Sequence, residues 1–127
     1  MKVLLIDDDL ALTTVISATL SQNGFDTLTA PDGQSGFEKA KLEKPDFILL
    51  DQVLPDIQGN NVLQMLKEDG QTRTIPVAML SNYSDTQLMQ EALNRGAMDY
   101  ILKYQIEPEG LVLKINDLYK QSQQKPV

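Results

Sequence analysis

Three carboxylates and one amine in this chain fall where they could meet. Asp7, Asp8, Asp51 and Lys103 each stand at the carboxyl end of a short apolar run. Lys2-Val3-Leu4-Leu5-Ile6 runs into Asp7-Asp8, Asp46-Phe47-Ile48-Leu49-Leu50 into Asp51, and Met98-Asp99-Tyr100-Ile101-Leu102 into Lys103. Carboxylates held close repel at neutral pH and persist together only where protons or a cation neutralise them. Oxygen donors without imidazole or thiolate select Mg²⁺, Mn²⁺ or Ca²⁺, and a site with few protein ligands and several waters suits Mg²⁺, which often bridges to phosphate. A lysine beside such a site is a fixed cation for transferred phosphoryl oxygens. An aspartate there can itself be the nucleophile, because aspartyl phosphates are known covalent intermediates.

The elements that would position these groups can be read from the apolar pattern. Short runs rich in Val, Ile and Leu are buried strands, and open α/β sheets bind ligands just outside the carboxyl ends of their strands. Five such runs alternate with helical patterns. The first helix is expected to bury Leu12, Val15, Ile16, Thr19 and Leu20, with Asn23-Gly24 as its stop before a weaker strand from Phe25 to Thr29. A helix from about Gln34 to Glu43 ends before Pro45, and the next, with Val62, Leu63 and Leu66 inward, stops at Asp69-Gly70. Pro76 to Leu80 is the fourth strand. Ser84 with Gln87 matches a capping box for a helix ending at Arg95-Gly96, and Pro108 opens a last helix carrying Leu111, Val112, Ile115, Leu118 and Tyr119. This βαβα alternation predicts a parallel sheet covered by helices on both faces. Residues 1–120 form one domain, and 121–127 form a polar tail or the start of a linker.

Composition removes whole classes of function. At 127 residues with 42% hydrophobic content, a single domain with a real core is expected. A formal charge of -7 argues against binding nucleic acid through this domain, since a phosphate backbone needs clustered Lys and Arg. The absence of histidine and cysteine excludes Ser-His-Asp and Cys-His machinery and any His- or Cys-ligated zinc site. No run approaches the ~20 apolar residues needed to cross a bilayer, and no secretory signal pattern opens the chain, so a cytoplasmic protein is expected.

Each candidate residue also has a plain structural reading. Asp9 is expected to cap the first helix and do nothing more. Asp51 alone could be a turn residue before Pro55, and Lys103 a solvated strand end. Capping uses one acid, however, and three in a row after a strand exceed that need. The joint placement on one rim carries the functional reading.

The ordered set Asp7-Asp8, Asp51 followed by Leu54-Pro55 and Gly59, Ser81 after the fourth strand, Gly96-Ala97, Tyr100 and Lys103 resembles the receiver domain of a two-component response regulator. The resemblance implies a flavodoxin-like (βα)5 fold with strand order 2-1-3-4-5. It implies that Asp51 accepts a phosphoryl group from a phosphohistidine on a sensor histidine kinase or histidine phosphotransfer protein, in a Mg²⁺-dependent reaction that Mn²⁺ could also support. On this pattern Asp8 and Asp51 ligate the ion directly, Asp7 acts through water, and the backbone carbonyl of Val53 adds an oxygen. Ser81 hydrogen-bonds one phosphoryl oxygen and Lys103 pairs with another. Movement of Ser81 lets the ring of Tyr100 turn inward, reshaping a face made by the fourth helix, fifth strand and fifth helix for an output partner or effector domain. Phosphorylation-dependent pairing through the last helices is common in such a family.

The chain departs from that pattern in places. Tyr104 follows Lys103 where proline is usual, and Gln52 follows Asp51 where an apolar side chain is common. Asn82 stands where a very small residue is common and is expected to narrow access to the phosphoryl group. Val53 and Tyr83 occupy positions where polar groups can orient attacking water, so slow hydrolysis is expected. The domain would then be a phosphoacceptor switch with slow autodephosphorylation, and not a metabolic enzyme. Its nearest rival is a receiver-fold interaction module that signals without phosphorylation. A phosphohydrolase would carry an acid at position 53, and a nucleotide- or flavin-binding domain would carry glycines in place of Asp7-Asp8-Asp9.

Overall fold

The computed structural model describes residues 1–124, so the last three residues of the expected tail lie outside the described residues. Five strands form one parallel sheet in the order β2-β1-β3-β4-β5: β1 Lys2–Ile6, β2 Asp26–Ala30, β3 Phe47–Asp51, β4 Val77–Ser81 and β5 Asp99–Leu102. The helices between and after them are α1 Leu10–Gln22, α2 Gly33–Glu43, α3 Gly59–Glu68, α4 Thr86–Asn94 and α5 Pro108–Gln123, with a short 3-10 turn over Lys103–Gln105. This is the flavodoxin-like topology expected from the sequence. The point where chain order reverses lies between β1 and β3, where such sheets bind ligands.

Strand periodicity divides the core in two. Leu4, Ile6, Ile48, Leu50, Val77, Met79 and Tyr100 pack with Val62, Leu63 and Leu66 of α3 and with Ala92 of α4. Val3, Leu5, Phe47, Leu49, Ala78, Leu80 and Ile101 pack on the other face with Ile16 and Leu20 of α1 and the apolar stripe of α5. Both faces of the central strands are thus dry, which is why their sequences read as unbroken apolar runs. No described helix is long and apolar enough to cross a membrane.

Several local expectations are corrected. The buried stripe of α1 is Thr13, Ile16 and Leu20, while Val15 is 51% exposed. Thr13 is tolerated inside because its hydroxyl donates to the Leu10 carbonyl at 3.1 Å. The fourth helix is capped by Asp85 and not by Ser84: the Asp85 carboxylate accepts from the Leu88 N–H at 3.0 Å, so the helix begins one residue later. Strand β4 starts after Pro76, which has no N–H to give, and Ser81 belongs to the strand itself. The last helix continues past Lys120 to Gln123, because a polar sequence with good helix formers propagates from a turn already anchored by Leu118.

Glycine is required at one place near the rim. A Cβ on Gly59 would lie 2.3 Å from the Asp51 carbonyl oxygen and 2.7 Å from Gln52 Cα. The start of α3 therefore closes directly onto the end of β3, with the Gly59 N–H donating to the Gln52 carbonyl at 2.8 Å. Only a residue without a side chain permits this approach.

Candidate functional site

Register brings the chemistry together. Ile6 pairs with Leu50, Asp51 with Leu80, and Ser81 with Leu102, so the residues that follow or end β1, β3, β4 and β5 form one rim. Alternation then sorts them by face. Asp7, Asp51 and Lys103 continue the period of Leu5, Leu49 and Ile101 on the α1–α5 side, whereas Gln52, Ser81 and Tyr100 share the α3–α4 side with Leu50 and Met79.

Lys103 joins the two buried acids. Its Nζ lies 2.8 Å from Asp7 Oδ2 and 3.2 Å from Asp51 Oδ2, with all three side chains largely withdrawn from water. Asp7 Oδ1 accepts the Asp9 N–H at 2.9 Å, and the buried Asp7 Oδ2 is met by the Lys103 ammonium at 2.8 Å. Asp51 Oδ1 accepts the Val53 N–H at 3.3 Å, a long bond that turns the loop after β3 around the carboxylate. Asp8 is exposed, yet one oxygen from each of Asp7, Asp8 and Asp51 falls within 4.8 Å of the others. Asp9 caps α1, accepting from the Leu12 N–H at 3.1 Å.

Electrostatics show a site short of positive charge. Burial first and the charge of Asp7 second push the Asp51 carboxyl up to about 6, with Lys103 opposing them. For Lys103, burial acts to lower the ammonium's pKa, but Asp7 and Asp51 together overcome it and raise it, so the amine stays charged. Three carboxylates against one ammonium leave a formal deficit of two positive charges. An all-oxygen cluster with that deficit, whose two buried acids share a single ammonium, fits a hard divalent cation.

An open cleft of about 240 Å³ leads to the acids, lined by Asp8, Asp9, Asp51, Val53, Asn82, Tyr83 and Lys103. Val53 and Tyr83 are mostly exposed at its edge, as is Asn82. Ser81 is buried, and its hydroxyl is occupied by the next loop, donating to the Tyr83 carbonyl at 3.1 Å and accepting the Tyr83 N–H at 3.0 Å. Tyr100 is 8% exposed, with its ring in the α3–α4 core. Burial raises its phenol pKa, with the neighbouring Ser81 hydroxyl opposing.

Two residues near the rim have contacts that their sequence context did not reveal. Gln52 is buried, and its side-chain carbonyl faces the Tyr100 hydroxyl. The alternation that places Asp51 on one face already put Gln52 on the other. Asp56 caps α2 from a distance, accepting from the Gly33 N–H at 2.8 Å and the Gln34 N–H at 2.9 Å. Its separation of more than twenty residues from that helix left no local signal.

The family model for the response regulator receiver domain matches residues 3–116. The DNA-binding dual master transcriptional regulator RpaA of Synechocystis sp. is 34% identical over 125 residues, covering 98% of this chain and 52% of that protein. The alkaline phosphatase synthesis transcriptional regulatory protein PhoP of Bacillus subtilis is 35% identical over 102 residues, covering 80% of this chain and 42% of that protein. The chain thus spans about half the length of the curated relatives it matches. Among solved structures, a Francisella response regulator receiver domain superposes with a TM-score of 0.85 at 31% identity, covering 96% of this chain and 98% of that one. A CheY-like receiver domain protein from Methanospirillum hungatei gives 0.89 at 26% identity, covering 95% and 94%.

Proposed function

The chain belongs to the response regulator receiver domain family, and from that membership and the charge arrangement at the rim we propose that it is a phosphoacceptor switch acting through Asp51. The observation that carries the proposal is Lys103 Nζ held between Asp7 and Asp51 at 2.8 and 3.2 Å, with Asp8 completing an acidic cluster at the mouth of an open cleft.

In this reading an Asp51 carboxylate oxygen attacks the phosphorus of a phosphohistidine presented by a sensor histidine kinase or histidine phosphotransfer protein. The new O–P bond forms as the P–N bond breaks, and the imidazole leaves with the electron pair. At neutral pH Asp51, with its carboxyl at about 6, is mainly ionised and able to attack. Lys103 holds its ammonium against the incoming phosphoryl oxygens, exchanging contact with Asp51 for contact with the new group. Asp8 and Asp51, with the Val53 carbonyl and with Asp7 through water, would hold Mg²⁺ or Mn²⁺, which when bound supplies the positive charge that the cluster lacks. Ser81 must release the Tyr83 backbone to bond a phosphoryl oxygen, and that exchange couples Asp51 to the β4–α4 loop.

The output surface in this reading is formed by α4, β5 and α5, with Tyr100 at its base. Its partner is an effector segment or separate protein, and pairing of two copies through the same face is compatible with it. The relatives named as DNA-binding are about twice as long as this chain, and its net charge of -7 makes this domain a poor nucleic-acid surface. A cytoplasmic location agrees with such a partner set.

Incubation with acetyl phosphate and Mg²⁺, followed by intact mass measurement, tests the proposal. One added phosphoryl group in the wild type, absent in Asp51→Asn and after chelation of Mg²⁺, is expected. No gain in any sample would move the reading to a receiver-fold module that signals without phosphorylation.

A further inference from the structure

Tyr100 and Ser81 stand in different states in this structure. The tyrosine ring is already inside the α3–α4 core, while the Ser81 hydroxyl is still bound to the backbone of Tyr83. Something other than a Ser81 hydroxyl drawn toward Asp51 therefore accompanies the buried ring. Tyr100 Oη stands 3.5 Å from Gln52 Oε1, at the outer reach of a hydrogen bond, with the Ser81 hydroxyl as its other polar neighbour.

Gln52 is well placed for that contact. Its N–H donates to the Leu80 carbonyl at 2.9 Å, and its own carbonyl accepts the Gly59 N–H at 2.8 Å, so its backbone is fastened to β4 and to the first residue of α3. It is 3% exposed, and strand alternation directs it away from the acids and toward the face that holds Tyr100. An apolar side chain would pack there equally well; a glutamine has to find a partner for a buried amide. The phenol is in the same position, since a buried Tyr hydroxyl left unpaired is destabilising. Each group answers the other's need, and the low polarity around them strengthens a bond that is long by ordinary standards.

We propose that Gln52 is a positioning residue for Tyr100: its side-chain carbonyl accepts the phenol proton and holds the ring inside the sheet face before Asp51 carries any phosphoryl group. The meaning of the ring's position rests on the function proposed above, and the contact itself does not. In this chain, then, phosphorylation has chiefly the Ser81 hydroxyl and the β4–α4 loop left to move. The residue beside the phosphoacceptor biases the two-state equilibrium from the opposite side of the strand.

The test uses the unphosphorylated protein labelled with 3-fluorotyrosine. Its four tyrosines give separable fluorine resonances, assigned by single Tyr→Phe variants, and a soluble paramagnetic agent reports the exposure of each. In the wild type the Tyr100 signal is expected to be protected relative to exposed Tyr104. Gln52→Met keeps length and apolar packing but removes the acceptor, and Gln52→Asn shortens the amide out of reach. Each is expected to lower the buried-to-exposed ratio of Tyr100 about three- to tenfold, the equivalent of one net hydrogen bond. Folded variants in which Tyr100 stays as protected as in the wild type would overturn the proposal, because packing alone would then hold the ring. Should neither variant fold, Tyr100→Phe carries the test: the Gln52 side-chain amide resonances move on losing their donor, and unmoved resonances overturn it. A protein that takes up no phosphoryl group would count against the proposed function while leaving this result readable.

Discussion

At the scale of the residue, the rim is governed by how much charge each side chain brings and how little water reaches it. Lys103 keeps Asp7 and Asp51 together, and the remaining deficit explains why an all-oxygen cluster calls for a cation. In the proposed function, the lifetime of the phosphorylated form depends on Val53 and Tyr83, which line the cleft. A Val53 side chain has no group to hydrogen-bond an attacking water, and the bulk of Tyr83 is expected to obstruct one. Replacing Val53 by Asn, or Tyr83 by Glu, is expected to speed loss of the phosphoryl group about tenfold, the rate equivalent of one well-placed hydrogen bond. Acyl-phosphate decay followed in excess Mg²⁺ measures this; a wild-type half-life of seconds that neither substitution changes would contradict it. The acids and the lysine were legible in the sequence because each ends an apolar run, and a charge at that point has few structural uses. The burial of Gln52 beside Tyr100 was not, since a polar residue in a place where an apolar one is common does not say what it meets until strand register shows it.

At the scale of the element, caps and close approaches set where the loops go. Asp56 reaches from the loop after β3 to the first N–H groups of α2, and also accepts its neighbour Ile57 N–H at 2.9 Å. These backbone donors lower the Asp56 carboxyl below its ordinary 3.8. A carboxyl lowered on folding contributes stability that is present above the unfolded value and lost as pH falls through the folded one. Asp56→Asn is therefore expected to be less stable than the wild type at neutral pH, with a constant gap above about pH 5. The gap should narrow as pH falls below 3.8, where the unfolded chain's carboxyl takes up a proton while the folded one still resists it. Urea unfolding from pH 7 down to the acid limit of the fold measures it; a gap independent of pH would mean that the carboxylate does not fasten the loop. The sequence displayed the local cap Asp9 plainly, and misplaced the cap of α4 only because Ser84 and Asp85 are adjacent candidates. A cap supplied from another loop has no sequence spacing to betray it. The stripe of α1 was misread for a related reason: Thr13 can enter the core once its hydroxyl bonds the preceding turn, which hydropathy does not register.

At the scale of the whole molecule, the parallel sheet converts separation in sequence into proximity. Residues 7, 51, 81 and 103 are far apart along the chain, and one register of β1, β3, β4 and β5 brings them to a single edge. The alternation of strands and helices made the architecture readable, because connections of this length allow only crossovers and crossovers fix parallel strands. The state of the switch was not readable, since it depends on which rotamer Tyr100 adopts and on what Ser81 bonds. In the proposed function the same division by face separates the acids and lysine from the relay: Asp7, Asp51 and Lys103 on the α1–α5 side of the rim, Ser81 and Tyr100 on the α3–α4 side. The central claim is that the phosphoryl group sits on Asp51 and on no other acid of the cluster. Borohydride reduction after acetyl phosphate treatment converts an aspartyl phosphate to homoserine, and peptide mass analysis locates it. The account predicts homoserine at position 51 alone, dependent on Mg²⁺; homoserine at position 7 or 8, or at none, would contradict it.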